Sequence, residues 1–234
     1  MWGFSIIHLA FTYNLYPATM KKVLAEFLGT CLLVAIVVGS GIMATNLSQD
    51  VGVQLLINTI STVFGLYVLI QILGPISGAH FNPVVTLVDL IEKKATALTF
   101  IQFVAAQVAG AISGAVLANA MFSHALFETA TKSRSGGNLY LGEIVATAGL
   151  ILLINLMLAQ DKTALIPVTV AAWIGSAYFF TSSTSFANPA VTIGRIFSDS
   201  FAGIAPGCVT KFIAAQILGA LIGLGLTKVL SNDK

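Results

Sequence analysis

The sequence predicts an all-α membrane fold with six transmembrane helices plus two re-entrant half-helices in an inverted repeat, and three observations carry that prediction. Of the 234 residues, 57% are hydrophobic and 9% charged, with a mean hydropathy of +0.94, far too apolar for a soluble domain of this length. Several apolar stretches reach the roughly 20 residues needed to cross a hydrocarbon layer about 30 Å thick. The chain also repeats itself, half against half.

Taken in order, residues 1–20 form an N-terminal extension. Residues 2–16 are apolar and aromatic but lack the basic start and small-residue cleavage site of a signal peptide, while Met20-Lys21-Lys22 looks like a natural beginning. The expectation is a loose interfacial segment or a stretch that is not native. Six spans follow, near residues 23–45, 52–73, 97–119, 139–159, 164–181 and 209–230. Two further apolar pieces, 82–91 and 188–197, each open with Asn-Pro and are too short to cross. Non-helical backbone at membrane depth must be enclosed in protein or line a water-filled cavity, so both pieces point inward. Pro83 and Pro189 suit a first helical turn, where a missing amide hydrogen costs nothing.

The repeat runs through the whole chain. Ala25-Glu26-Phe27 with Thr30 recurs as Gly142-Glu143-Ile144 with Thr147; Asn82-Pro83-Val84-Val85-Thr86 as Asn188-Pro189-Ala190-Val191-Thr192; Ala105-Ala106-Gln107 as Ala214-Ala215-Gln216. The predicted organisation is therefore a first repeat over 21–122, a linker over 123–138 and a second repeat over 139–234. Each half holds three spans, an odd number, so the second half enters the membrane the other way up. Lys21, Lys22, Lys93, Lys94, Lys162, Lys228 and Lys234 fall on one side against Lys132, Arg134, Arg195 and Lys211 on the other. By the positive-inside rule both termini are expected in the cytoplasm and the linker outside. Gly110, Gly114, Gly219 and Gly223, four residues apart in pairs, fit close helix packing in lipid.

Two inverted half-helices that meet near the midplane bring together two positive dipole ends, each worth about half an elementary charge, and a cation there is repelled. Asn82 and Asn188 sit at those ends, where each carboxamide can cap its own half-helix and still turn amide hydrogens toward a passing solute. A lone Asn-Pro reads as a helix cap; a matched pair in an inverted repeat calls for more.

At these residues the chain resembles the aquaporin (major intrinsic protein) family, through Ser77-Gly78-Ala79-His80-Phe81-Asn82-Pro83-Val84-Val85-Thr86 and Phe186-Ala187-Asn188-Pro189-Ala190-Val191. The resemblance spans about residues 21–230. It implies an aquaporin-like fold, a homotetramer in the lipid bilayer with one pore per subunit, and passive flux of water or small neutral solutes. It also implies that Gly78, Ala79 and His80, with Thr184, Ser185 and Phe186, present backbone carbonyls to the pore. Such a ladder suits molecules that donate and accept hydrogen bonds and suits a bare ion poorly. Glu26 and Glu143, acids within spans, correspond to family glutamates that brace the loops before the half-helices, a scaffold role preferred here over proton transfer. His80 is read as fixing its loop, with a pH-responsive gate as the alternative.

The chain departs from the family pattern after the second Asn-Pro-Ala, where an arginine is usual and Val191 stands. A short apolar side chain there widens the constriction and removes a fixed charge. Spacing places Ser185, Ser176 and Thr62 at the other filter positions, with Phe64 or Tyr178 as alternatives two residues on. Arg195, one turn beyond Val191, is expected to complement the half-helix dipole rather than restore the lost charge. Val84, where alanine is usual, leaves the central width open. Valine at the arginine position is similar to a bacterial branch found with arsenic-resistance functions, which suggests glycerol-like polyols and metalloid hydroxides such as arsenous acid, with water. Alternatives are a water-selective aquaporin and, from another class, a coupled secondary transporter.

Other classes find little support. A net charge of +2 with scattered bases gives no footprint for nucleic acid. Cys31 and Cys208 read as packing residues. His8, His80 and His124 occupy unrelated contexts, and no metal-ligand spacing, nucleophile with base or phosphate loop occurs, so neither enzyme, metal nor cofactor is expected. The short loops and missing signal peptide suggest a bacterial inner membrane.

Overall fold

A computed structural model describes residues 17–231. The residues 1–16, with most of the N-terminal extension and His8, and 232–234, with Lys234, lie outside the described residues. The chain forms α1 (Ala18–Leu47), α2 (Val51–Ser77), half-helix α3 (Pro83–Ile91), α4 (Ala97–Met121), α5 (Gly137–Ala159), α6 (Ile166–Phe180), half-helix α7 (Pro189–Gly194) and α8 (Pro206–Ser231). A 3-10 turn, Thr163–Leu165, leads into α6, and another, Arg195–Phe197, continues α7. No strand occurs among the described residues. Six helical segments are long and apolar enough to span a membrane: α1, α2, α4, α5, α8, and α6 together with its leading turn, Thr163–Phe180.

Helix ends follow their local chemistry. Asp50 Oδ1 accepts the Val53 amide at 2.9 Å to start α2, and Thr96 Oγ1 accepts that of Thr99 at 3.1 Å to start α4. Gly78 closes α2 at φ +93°, a left-handed conformation that favours glycine. Helix α1 begins at Ala18, so Met20, Lys21 and Lys22 lie within it.

The halves pack alike: α1 lies along α4, and α5 along α8. Glycine makes both approaches possible. A Cβ on Gly110 or Gly114 would strike the carbonyl oxygens of Phe27 and Cys31, and one on Gly219 or Gly223 those of Ile144 and Ala148. In lipid, where apolar surface has little reason to leave its surroundings, such close backbone contact holds helices together. The outer faces are apolar, as with exposed Leu24, Leu28 and Leu32 on α1 and Ile60, Phe64 and Val68 on α2, an acyl-chain surface at helical spacing.

Candidate pore

Two buried carboxylates hold the segments that precede the half-helices. Glu26, fully buried on α1, accepts hydrogen bonds from the His80 and Phe81 amides at 3.0 and 2.7 Å, the Ser77 hydroxyl at 2.6 Å and Gln107 Nε2 at 2.8 Å. Glu143 on α5 accepts from the Phe186 and Ala187 amides, both at 2.9 Å, and from Gln216 Nε2 at 2.6 Å. Each glutamine also donates to the half-helix threonine of its own half, Gln107 to Thr86 and Gln216 to Thr192. A carboxylate that accepts several strong bonds offsets its burial through them, so both acids are committed to holding backbone.

The held backbone is unusual. Ala79, Phe81, Ser185 and Ala187 adopt φ near +50°, and Thr184 +63°, conformations that cost non-glycine residues about 1–3 kcal/mol and persist only when their surroundings enforce them. Here the glutamates provide the enforcement.

Both asparagines cap their half-helices: Asn82 Oδ1 accepts the Val84 amide at 3.1 Å, and Asn188 Oδ1 those of Ala190 and Val191 at 2.9 and 3.2 Å. They also bind across the molecule. Asn82 Nδ2 donates to the Ala187 carbonyl and Asn188 Nδ2 to that of Phe81, each at 2.8 Å. Nothing local in the sequence announces this exchange, because its partners lie 105 and 107 residues apart. Each carboxamide keeps a second N–H.

A cavity of about 440 Å³ runs past this junction, lined by Gly78, Ala79, His80, Phe81 and Asn82 in the first half and Ser185, Phe186, Ala187 and Asn188 in the second. Its other wall is apolar, with Leu33, Leu66, Leu150, Ile154 and Val170 among its residues. At one end stand His80, Asp89 and Lys94; at the other Tyr178, Val191 and Arg195. His80 Nδ1 lies 3.0 Å from Thr86 Oγ1 and Nε2 3.3 Å from Asp89 Oδ2, so the imidazole ties its loop to α3.

Most residues chosen for the pathway line this cavity; Ser176 and Thr184 do not. Ser176 faces outward into a shallow groove beside Leu153, Val168 and Trp173. Two residues on a helix turn the side chain by about 200°, so Tyr178 takes the inward position on α6. On α2 Thr62 does line the cavity, while Phe64 is 67% exposed. Thr184 is absent from the lining; its amide is bonded to the Thr181 carbonyl in a turn, and the segment lines the cavity from Ser185 onward. Val84 packs with Val88, Ile151 and Leu224, and its neighbour Val85 lines the cavity instead.

Arg195 also reaches the cavity. It is 3% exposed, lines the cavity, donates from Nε to the Ala202 carbonyl and lays its Cζ 3.4 Å over the centroid of the Phe186 ring. Arg134, from the linker, covers the same ring at 4.9 Å and donates to the Gly203 and Phe201 carbonyls at 2.9 and 3.2 Å. Burial lowers its pKa to about 10, against the pull of Glu143. Partial burial, with Arg134 and Arg195 nearby, lowers that of Lys132 to about 8. The linker thus takes part in the Val191 end of the cavity, tied along it by Ala130 to Ile196 and Ala205 to Lys132 backbone bonds of 2.8 Å.

Near the Val191 end, Thr62 Oγ1 donates to the Asn58 carbonyl at 2.8 Å, so its 3.2 Å contact with Tyr178 is donated by the tyrosine. Ser185 Oγ is buried without a partner, a hydroxyl still open to a solute.

Six spans, two inward half-helices and a cavity past their joined ends define a membrane channel fold. The family described as Major intrinsic protein matches residues 15–187. Aquaglyceroporin AqpS of Rhizobium meliloti (strain 1021) is 46% identical over 208 residues, 89% of each chain. Probable aquaporin TIP2-2 of Oryza sativa subsp. japonica is 31% identical over 221 residues, 89% of this chain and 85% of the rice protein. The X-ray structure of the aquaglyceroporin from Plasmodium falciparum aligns over 92% of this chain and 96% of that one, with TM-score 0.67 at 19% identity, a likeness of fold. The chain belongs to the major intrinsic protein family, a family of channels, and is a multi-pass membrane protein.

Proposed function

We propose that the chain is a passive channel for water and glycerol-sized uncharged solutes, among them metalloid hydroxides such as arsenous acid. The observation that carries this reading is Val191 on the cavity wall, in a lining that includes Thr62 and the unpartnered hydroxyl of Ser185. A short apolar side chain at that place leaves width for a polyol, and the similarity to a protein named an aquaglyceroporin supports the same solute class. Asn82 and Asn188 act as donors at the centre through the N–H that each retains, and free backbone carbonyls act as acceptors on one wall. The opposite apolar wall gives a solute with hydroxyls along one side a matching surface. The channel works as a homotetramer in a bacterial inner membrane with cytoplasmic termini, an orientation supported by the bases of the inner loops.

Proteoliposomes followed by light scattering test the reading. In a sucrose gradient, vesicles shrink fast and stay small; in a glycerol gradient they shrink and then re-swell. The same vesicles take up arsenite faster than protein-free ones. Fast water flux without glycerol entry would favour the water-selective alternative, with Tyr178 closing the opening, and flux that followed a proton or sodium gradient would favour a coupled transporter.

A further inference from the structure

Resting on the channel reading, we propose that Arg195 is the residue that excludes cations from this pore and that Arg134 positions it through the face of Phe186. An arginine at position 191 would narrow the mouth and charge it at once. Here the two roles are separated: Val191 leaves the width, and a guanidinium held flat against the wall supplies the charge.

Four observations place that charge. Arg195 lines the cavity yet is 3% exposed, so its field reaches the pathway while its bulk stays in the wall. Its Nε is bound to the Ala202 carbonyl and its plane to the Phe186 ring, a contact stronger for a desolvated cation. Phe186 is itself fixed, its amide bound to Glu143. Finally, among the described residues no carboxylate lies at ion-pair distance from Arg195 or Arg134; the Glu143 carboxylate acts on both from farther away, its oxygens bound to the Phe186 and Ala187 amides and Gln216. Low-dielectric walls around such a charge focus its field into the pathway. Arg134 lies over the same ring and is held by the carbonyls of Phe201 and Gly203, on either side of the Ala202 carbonyl that holds Arg195, so both guanidinium groups are tied to one ring and one loop.

The test is the current carried by ammonium ions across planar bilayers, with glycerol flux of the same purified protein in liposomes as the measure of inserted, open channel. Arg195→Gln is expected to raise the ratio of ammonium current to glycerol flux by about tenfold or more; Arg195→Lys is expected to hold the ratio near wild type, and Arg134→Gln to raise it by a smaller factor. A wild-type ratio in Arg195→Gln, or an equal leak in Arg195→Lys, would overturn the exclusion role while wild-type glycerol flux left the channel reading standing. An unchanged ratio in Arg134→Gln would overturn its positioning role. Wild-type vesicles that pass no glycerol would sink the channel reading and this inference with it.

Discussion

The two halves of this chain hold their half-helices by the same device and brace them with side chains of opposite charge, Asp89 in the first and Arg195 in the second. In each, a buried glutamate receives two loop amides and a glutamine, which in turn binds the half-helix threonine. In each, the residue two before the asparagine touches the residue seven after it. The first half makes that contact as His80 with Asp89, 3.3 Å apart, and the second as Phe186 with Arg195. Both pairs line the cavity, at opposite ends. The repeat therefore constrains how the backbone is held, whereas the chemistry at the same register is free to diverge, because one contact braces a loop whether it is made by a carboxylate or by a cation on a ring.

The largest effects are expected where the halves agree. Glu26→Gln and Glu143→Gln each remove a charge-assisted acceptor of several buried donors, and a loss of about 3 kcal/mol or more is expected in detergent unfolding for both. Glu26→Gln should cost more, since it also abandons the Ser77 hydroxyl. A silent substitution in one half beside a severe one in the other would break the equivalence.

Next come the two valines three residues past each asparagine, Val85 and Val191, which both line the cavity. Val191→Arg should lower glycerol flux at least about tenfold, equivalent to about 1.4 kcal/mol on the barrier, and Val85→Arg should obstruct the first-half side to a similar degree. Stopped-flow re-swelling in glycerol measures both, and an unaffected Val85→Arg would mean that width is limited at the Val191 end alone.

Smaller effects separate neighbours on α6. Tyr178→Phe removes the hydroxyl that donates to Thr62, with an expected stability loss of about 1 kcal/mol. Ser176→Ala, on the outer face, should stay within about 0.5 kcal/mol and leave glycerol flux as it was. A flux defect in Ser176→Ala would return that residue to the pathway.

Much of this molecule was legible in order along the chain. Apolar length gave the spans, within about five residues at their ends, because crossing a hydrocarbon layer demands it. The Asn-Pro pairs gave the half-helices, because proline and asparagine have a defined place at a helix start. Matching glutamates, glutamines and glycines revealed the repeat. The filter was harder. On α6, Ser176 and Tyr178 are both plausible by spacing, and a slip of two residues turns lipid face into pore face. For Arg195, the sequence offered the dipole as a sufficient reason for a base; its approach to Phe186 depends on a loop carbonyl at Ala202 that no local signal announces.

By itself, then, the sequence determined that this is a membrane protein of two inverted halves with paired asparagines at its centre, since solvation by lipid and helix capping act on residues one segment at a time. The tertiary structure alone decided that the asparagines exchange hydrogen bonds across the halves, that Tyr178 rather than Ser176 faces the cavity, and that the linker brings Arg134 to the ring already covered by Arg195. Those contacts join residues tens of positions apart in sequence, and their register depends on how whole helices rotate and pack, which short-range patterns do not encode.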